Sequence, residues 1–528
     1  MRRFDLPGRS AVIAANGIAA TSHPLASATA LGVLRERGNA VDAAIAAMAT
    51  LAVVEPHMTG IGGDSFAIVA EPNGRVHGLN GSGRAAAGAK LDWYIDAGFS
   101  EIPQHSAHSV TVPGALRAWE MLHEQFGSIA FERLFADAIA YAEDGCPVAS
   151  RVAFDWAKEA ITLGRDAGAR QHYLLNGRTP LAGEKIRLPA LAATLRLIAK
   201  YGSKALYEGS VAAEIVEVVQ ARGGFLTEED LASVRPDWVQ PIGANYAGQK
   251  VLELPPNGTG MVALILFNLL EILGTRRMPP DSADRYHCEI EAARLAYAVR
   301  DTMLGDPDCM SVSVKELTSP AYAERLADKI DPLRRNPDLE LPPLPVAHTV
   351  YLTVADRDGQ VVSLISSISG VFGSQIATPR SGILLHNRGG SFRTEVGHPN
   401  AIGPGKRPMH SIIPAMAVED GKVSVSFGVM GGAFQPMGHA HVFANFADYG
   451  MDPQEAIDHG RLFWDDSGSL GFEAGIRAGV LETLELMGHR VHAASTPWGG
   501  AQMIVIDHKR GCYIAGSDPW KDGQAIGF

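Results

Sequence analysis

The sequence predicts an α+β fold built on antiparallel strands, and three stretches carry that expectation. Residues 348–373, HTVYLTVADRDGQVVSLISSISGVFG, alternate apolar positions, turn at the acidic DRDG and alternate back, the pattern of an antiparallel hairpin. Residues 113–340 are mainly helical in periodicity. Near the C-terminus, the strand-like runs KVSVSFGVM (422–430) and AQMIVIDHK (501–509) flank DPQEAIDHGRLF (452–463), which reads as a helix.

Taken in order, residues 11–21 give a short strand and residues 26–38 a helix that Gly38 is placed to end in a left-handed conformation. A second helix, residues 39–54, is rich in alanine on most faces. It leads into HMTGIGGDSFAIVA (57–70), a glycine-rich loop before a strand. A phosphate cradle would open a helix instead, so the loop reads as backbone passing close to the hairpin. In the helical block, residues 113–127, 131–145, 189–202 and 211–224 carry apolar side chains three and four apart and finish near glycine. Thr227 and Asp230 form a capping-box pattern. Residues 259–274 read as a deeply buried helix, and His287 and Cys288, at a helix start without a partner at ligand spacing, read as structural.

A chain of 528 residues buries a large core, and a net charge of −12 argues against nucleic acid or an anionic membrane as partner. Cys146, Cys288, Cys309 and Cys512 stand far apart, so they read as reduced, buried thiols, with no metal and no cofactor implied. No run reaches the ~18 apolar residues of a membrane helix. Asp5, Pro7 and Asn16-Gly17 interrupt any secretory signal, which predicts a cytoplasmic protein.

The hairpin opens with Thr349. Before it, DPLRRNPDLELPPLPVAH (331–348) has five prolines and mixed charges, which forbid a helix and discourage a central strand. An exposed segment running into a core strand is a place where a chain can be cut and leave a new amino terminus held in position. A threonine there carries both nucleophile and base, a hydroxyl and an α-amine of near-neutral pKa. By itself, Thr349 reads as no more than the start of a strand.

The wider pattern resembles the gamma-glutamyltransferase family of N-terminal nucleophile hydrolases. The resemblance runs through Thr349, Gly359, the hydroxyl-rich Ser363 to Ser369 and Phe372-Gly373, then through residues 21–69, 287–308, RPMHSIIPAM (407–416), VMGGAF (429–434) and GSDPW (516–520), in the family's order. It implies a four-layer αββα sandwich with Thr349 at one sheet's edge, and cleavage between His348 and Thr349. The products would be a large chain, 1–348, and a small chain, 349–528, intertwined as one domain. It implies Thr349 as nucleophile, Ser367 in the place of a second threonine that bonds the nucleophile's amine or hydroxyl, and Gly431 and Gly432 as oxyanion donors. Arg84, six residues before Lys90, would hold the substrate carboxylate, for which a planar guanidinium is suited; without the family it is an ordinary surface arginine. Thr353 shares Thr349's face of the strand and could assist the cut.

Departures from the family fall in the pocket. Where glutamyl-specific members hold an ammonium with an asparagine, a glutamine or glutamate, and an aspartate, this chain has Ser369, Arg388 and Ser391. The family's paired carboxylate-binding serines are His410 and Ser411 here. An ammonium beside Arg388 is repelled, so the expected substrate is a small amide whose acyl group carries a carboxylate and no α-amine. Oxamate fits, as for the family's oxamate amidohydrolases; a glutaryl amide, as for its cephalosporin acylases, fits the charge equally; an ordinary glutathione hydrolase remains the alternative. Arg388 could instead face solvent or pair with Glu395, and His410 could be a satisfied core histidine. Asp64 and Trp498 could shape the pocket. Homo-oligomerisation is left open.

Overall fold

The computed structural model describes residues 8–339 and 348–528; the stretch 340–347 of the expected cut linker lies outside them. Two seven-stranded sheets face each other. One runs, in spatial order, Gln524–Gly527, Gly17–Thr21, His348–Asp356, Val361–Ser369, Asp64–Ala70, Val76–Gly81 and Asp237–Val239. The other runs Val12–Ala14, Cys512–Ser517, Gly500–Asp507, Lys422–Met430, Ala415–Glu419, Gln249–Glu253 and Ile242–Tyr246. Neighbouring strands are antiparallel throughout both sheets.

The strand period of two explains the layering. Along the first hairpin strand, Val350, Leu352 and Val354 pack with the helices Pro24–Arg35, Ala40–Val54 and Ala115–Phe126. Tyr351 and Ala355 turn the other way, into a core shared by the two sheets with Phe66, Ile365, Met416 and Ile504. The helices Gly260–Leu273, Ala283–Met303 and Gln435–Tyr449 cover the second sheet's outer face. The order is helix, sheet, sheet, helix, the four-layer α+β sandwich expected. Among the described residues no helix is long and apolar enough to cross a membrane.

Several local expectations are corrected. The strand His348–Asp356 is third of seven in its sheet, so Thr349 stands at the end of an inner strand and not at a sheet's edge. Residues 237–253, inside the block read as helical, supply three strands. Two of them join through Ala247 and Gly248, both at positive φ (51° and 82°), a two-residue hairpin turn that helical periodicity does not register. After the first helix the left-handed residue is Arg37 (φ 72°); Gly38 is needed for space, since a Cβ there would stand 2.6 Å from Val33 Cγ1. The helix expected over 452–463 stops at Asp458, and Leu462–Trp464 is a strand. Cys309 is exposed and Cys512 half-buried; only Cys146 and Cys288 are buried. His287 lies 2.8 Å from His489 Nε2 and 2.8 Å from the Asp331 carbonyl, contacts within the fold that agree with its structural reading. Thr227 and Asp230 do cap each other. The glycine loop does pass close to the hairpin: a Cβ on Gly63 would stand 2.4 Å from the Ser367 carbonyl oxygen.

Between the sheets, Tyr351 is fully buried with its hydroxyl 2.8 Å from Ser363 Oγ, and its ring occupies the space a Cβ on Gly428 would need, 2.5 Å away. Overpacking of this kind costs about 1–3 kcal/mol. In a chain kept continuous by Thr349→Ala, Gly428→Ala is expected to lower the urea midpoint by that equivalent without changing the m-value.

Candidate active site

Thr349 is buried, and the hairpin ladder is irregular at it. His348 pairs with Ser369 and Val350 with Ser366, so the single residue Thr349 faces both Ser367 and Ile368. Such a bulge re-aims side chains. Ser369 completes it at φ 74°, a left-handed value costly for a non-glycine residue. The result brings the Ser367 hydroxyl onto the bond preceding Thr349: Ser367 Oγ donates to the His348 carbonyl at 2.5 Å. It accepts in turn from Ser369 N at 2.8 Å and Arg388 Nη2 at 3.3 Å.

Arg388 opens a one-turn 3-10 helix, Arg388–Ser391, and its guanidinium is buried. Nη1 donates to Ser411 Oγ at 3.1 Å, while Nε has no partner and no carboxylate among the described residues pairs with it. It faces neither solvent nor Glu395. Burial pushes its pKa down to about 10, opposed by Asp64, so it remains a cation at neutral pH. Asp64 is fully buried behind this cation. Its Oδ1 accepts from Gly83 N at 2.9 Å and Gly114 N at 3.1 Å, and its Oδ2 lies 3.1 Å from His410 Nε2 and 3.5 Å from His386 Nδ1. Burial opposes its ionisation, but His386 and His410 outweigh that and hold it well below the usual carboxylate range. His410 is thus bonded to Asp64, while its neighbour Ser411 reaches Arg388.

Gly431 (φ 122°) and Gly432 (φ 56°) stand just before the helix Gln435–Tyr449, at its positive end. A Cβ on Gly431 would come 2.5 Å from Gly499 Cα. Beside them opens a cavity of about 260 Å³ whose walls include His348, Gly431, Trp498 and Lys521.

Ser367, Ser369, Arg388 and Ser411 therefore form one hydrogen-bonded cluster on the His348 carbonyl, next to Thr349, while His410 bonds Asp64, whose charge acts on Arg388 without a direct bond. Arg84 and Ser391 are placed differently. The Arg84 side chain, half exposed, donates to the Gly405 carbonyl at 2.9 Å and lies 3.7 Å from Asp237 and 3.8 Å from Asp306. The Ser391 hydroxyl is spent on the carbonyls of Arg388 and Met409. Thr353 bonds Ser426 on the facing sheet, at 2.7 Å, and not Thr349. Reading the sequence missed Gln435, whose Nε2 donates to Thr349 Oγ at 3.2 Å; its position three residues past the paired glycines, at a helix start, was the available signal.

A family model described as gamma-glutamyltranspeptidase matches residues 26–528. The chain belongs to the gamma-glutamyltranspeptidase family. It is an enzyme of the amide-hydrolysing, N-terminal nucleophile class. Similar members include the "Glutathione hydrolase-like YwrD proenzyme" of Bacillus subtilis, 33% identical over 98% of this chain and 99% of that one. The "Oxamate amidohydrolase proenzyme" of Klebsiella pneumoniae is 34% identical, over 98% and 100%. Among solved structures, the cephalosporin acylase from Bacillus halodurans superposes with TM-score 0.93 at 37% identity, covering 100% of this chain and 99% of that one.

In this member of the gamma-glutamyltranspeptidase family, buried histidines give the site an acid limit. Burial, reinforced at His410 by Arg388, pushes His410 and His439 from 6.5 to about 3. Their folded pKa values lie below the unfolded ones, so the full stability is present above about pH 6.5. As pH falls from there the unfolded chain binds protons that the folded one does not. Stability is expected to decline between pH 6.5 and 4 by up to ~1.4 kcal/mol per pH unit for each such histidine, read from urea midpoints of a Thr349→Ala chain across that range.

Proposed function

We propose that this chain is a self-cleaving amidohydrolase for small amides whose acyl group bears a carboxylate, with oxamate as the preferred type. The observation that carries the reading is Arg388, a buried cation without a carboxylate partner among the described residues, one serine hydroxyl away from the His348 carbonyl. A guanidinium out of water is stabilised by a carboxylate in bidentate contact. An ammonium in the same place is repelled, which disfavours an α-amino acyl group such as γ-glutamyl.

Thr349 Oγ attacks the His348 carbonyl carbon, the C–N bond breaks, and the acyl group passes from nitrogen to oxygen. Water then hydrolyses that ester, leaving chains 1–348 and 349–528, the second with a free Thr349 amine. Ser367, donating to the His348 oxygen, polarises the carbonyl for the first step. In turnover, the amine takes the hydroxyl proton as Oγ attacks the substrate amide. Gly431 and Gly432 N–H groups receive the developing oxyanion near the helix's positive end. The proton passes to the departing amine, and water releases the acid, so oxamate and water give oxalate and ammonia. Names of relatives agree in kind, since one is an oxamate amidohydrolase proenzyme and another a cephalosporin acylase. Arg84, tied to Asp237 and Asp306, would reach a substrate carboxylate only by exchanging those partners.

One observation favours a second reading, a larger carboxylate-bearing amide such as a glutaryl amide. Oxamate needs little room, whereas the cavity beside Gly431 offers about 260 Å³, with the Lys521 side chain on its wall.

Intact mass should give two fragments meeting at Thr349 for the wild type and one uncut chain for Thr349→Ala; an uncut wild type overturns the reading. On a panel of oxamate, glutaryl and γ-glutamyl amides, Arg388→Gln should lower kcat/KM for the carboxylate-only acyl groups by on the order of 10²-fold, as removing a buried charge partner does. Unchanged selectivity would remove Arg388 from substrate binding.

A further inference from the structure

Gln435 is fully buried, and both ends of its amide are committed. Ile413 N donates to Oε1 at 3.0 Å, which leaves the NH₂ group facing Thr349 Oγ at 3.2 Å. A backbone N–H needs an acceptor, so the Ile413 contact fixes which way the amide points. Ile413 lies two residues beyond Ser411, which accepts from Arg388. A short path therefore runs from the buried cation through Ser411, Ile413 and Gln435 to the nucleophile.

We propose that Gln435 is a catalytic residue of this enzyme, a fixed hydrogen-bond donor to the nucleophilic oxygen that governs where the hydroxyl proton points. This rests on the reading of Thr349 as nucleophile. Thr349 Oγ has one proton and two lone pairs. With one lone pair held by the Gln435 N–H, the proton is directed elsewhere, and after cleavage the Thr349 amine is the base within the same residue. The donor also lowers the hydroxyl's own pKa, since it stabilises the anionic form. In the uncut chain the same bond holds Oγ in one orientation beside the His348 carbonyl, so one amide serves both the self-cleavage and the turnover. Coupling through Ile413 registers the nucleophile against Ser411 and Arg388, because the backbone segment 411–413 carries both the Ser411 and the Gln435 contacts.

Two substitutions separate this role from a structural one. Gln435→Glu keeps the shape and an oxygen for Ile413 N but presents an acceptor to Thr349. Gln435→Met removes both bonds. The charged and titratable groups nearby are common to every variant: Asp64, Arg388 and His410 on the pocket side, His348 and Lys521 on the cavity side, Glu253 and His439 between the helix and the second sheet. Self-cleavage rate by intact mass, and kcat, KM and pH profile of the mature enzyme, are measured for wild type and both variants, with circular dichroism checking the fold. We expect Gln435→Met to lower kcat by on the order of 10²-fold, the loss typical of one preorganised donor, with KM within about twofold. Gln435→Glu should not rescue it, and its acid limb should move to higher pH, because an added carboxylate holds the proton on the Thr349 amine. Either a Gln435→Met enzyme within twofold of wild type, or full rescue by Gln435→Glu, overturns the proposal. An uncut wild type would instead overturn the nucleophile reading beneath it.

Discussion

A guanidinium taken out of water with no carboxylate paired to it among the described residues is the constraint around which this site is arranged. The desolvation of such a group amounts to several kcal/mol, and the protein offsets it piecemeal. Ser411 and Ser367 accept two of its N–H bonds, and Asp64 lends a counter-charge from behind without closing an ion pair. Asp64 is in turn fixed by two backbone N–H groups and by His410. A direct Asp64 contact would have neutralised the cation and left nothing for a ligand. Held at one remove, it keeps Arg388 charged and its Nε unspent.

Ser367 connects that electrostatics to the chemistry. Its single proton goes to the His348 carbonyl, and its lone pairs are taken by Arg388 and the Ser369 amide. This is achieved by the bulge, which sets Ser367 and Ile368 opposite Thr349, with Ser369 held left-handed to close it. Neighbouring strands make the irregularity tolerable. Val361–Ser369 is bonded on its other side to Asp64–Ala70, where Ser367 pairs with Asp64, so one register places the hydroxyl and the counter-charge together.

Much of this was legible in the sequence. Alternation in residues 348–369 gave the hairpin, helical spacing gave most of the outer layers, and the ordered motifs pointed to Thr349, Ser367, Arg388, Ser411 and the paired glycines. What was not legible depends on contacts between distant segments. Gln435 is joined to Thr349 across 86 positions of chain, and nothing local to QPMGHA announces it. Arg84 keeps the expected spacing to Lys90, yet spacing carries no information about Asp237 and Asp306, which engage it. Residues 237–253 were read as helical because strands of three to five residues present too few turns of the alternation to outweigh the helical segments around them. Cys309 was read as buried because the cysteines stand far apart in the chain, and spacing does not fix depth.

Each sheet takes strands from both sides of the His348–Thr349 bond: Gly17–Thr21 lies against His348–Asp356, and Gln249–Glu253 against Ala415–Glu419. Cutting that bond would free neither piece, because sheet ladders, the core between the sheets and helix packing all join them. The continuous chain can find this arrangement with its parts tethered, whereas two separate pieces would have to meet and interleave strand by strand. The cleaved molecule would then be a kinetic product, held together by a barrier and not by its sequence's ability to assemble it again. One unfolding event would retire a mature molecule, while an uncut one could fold anew.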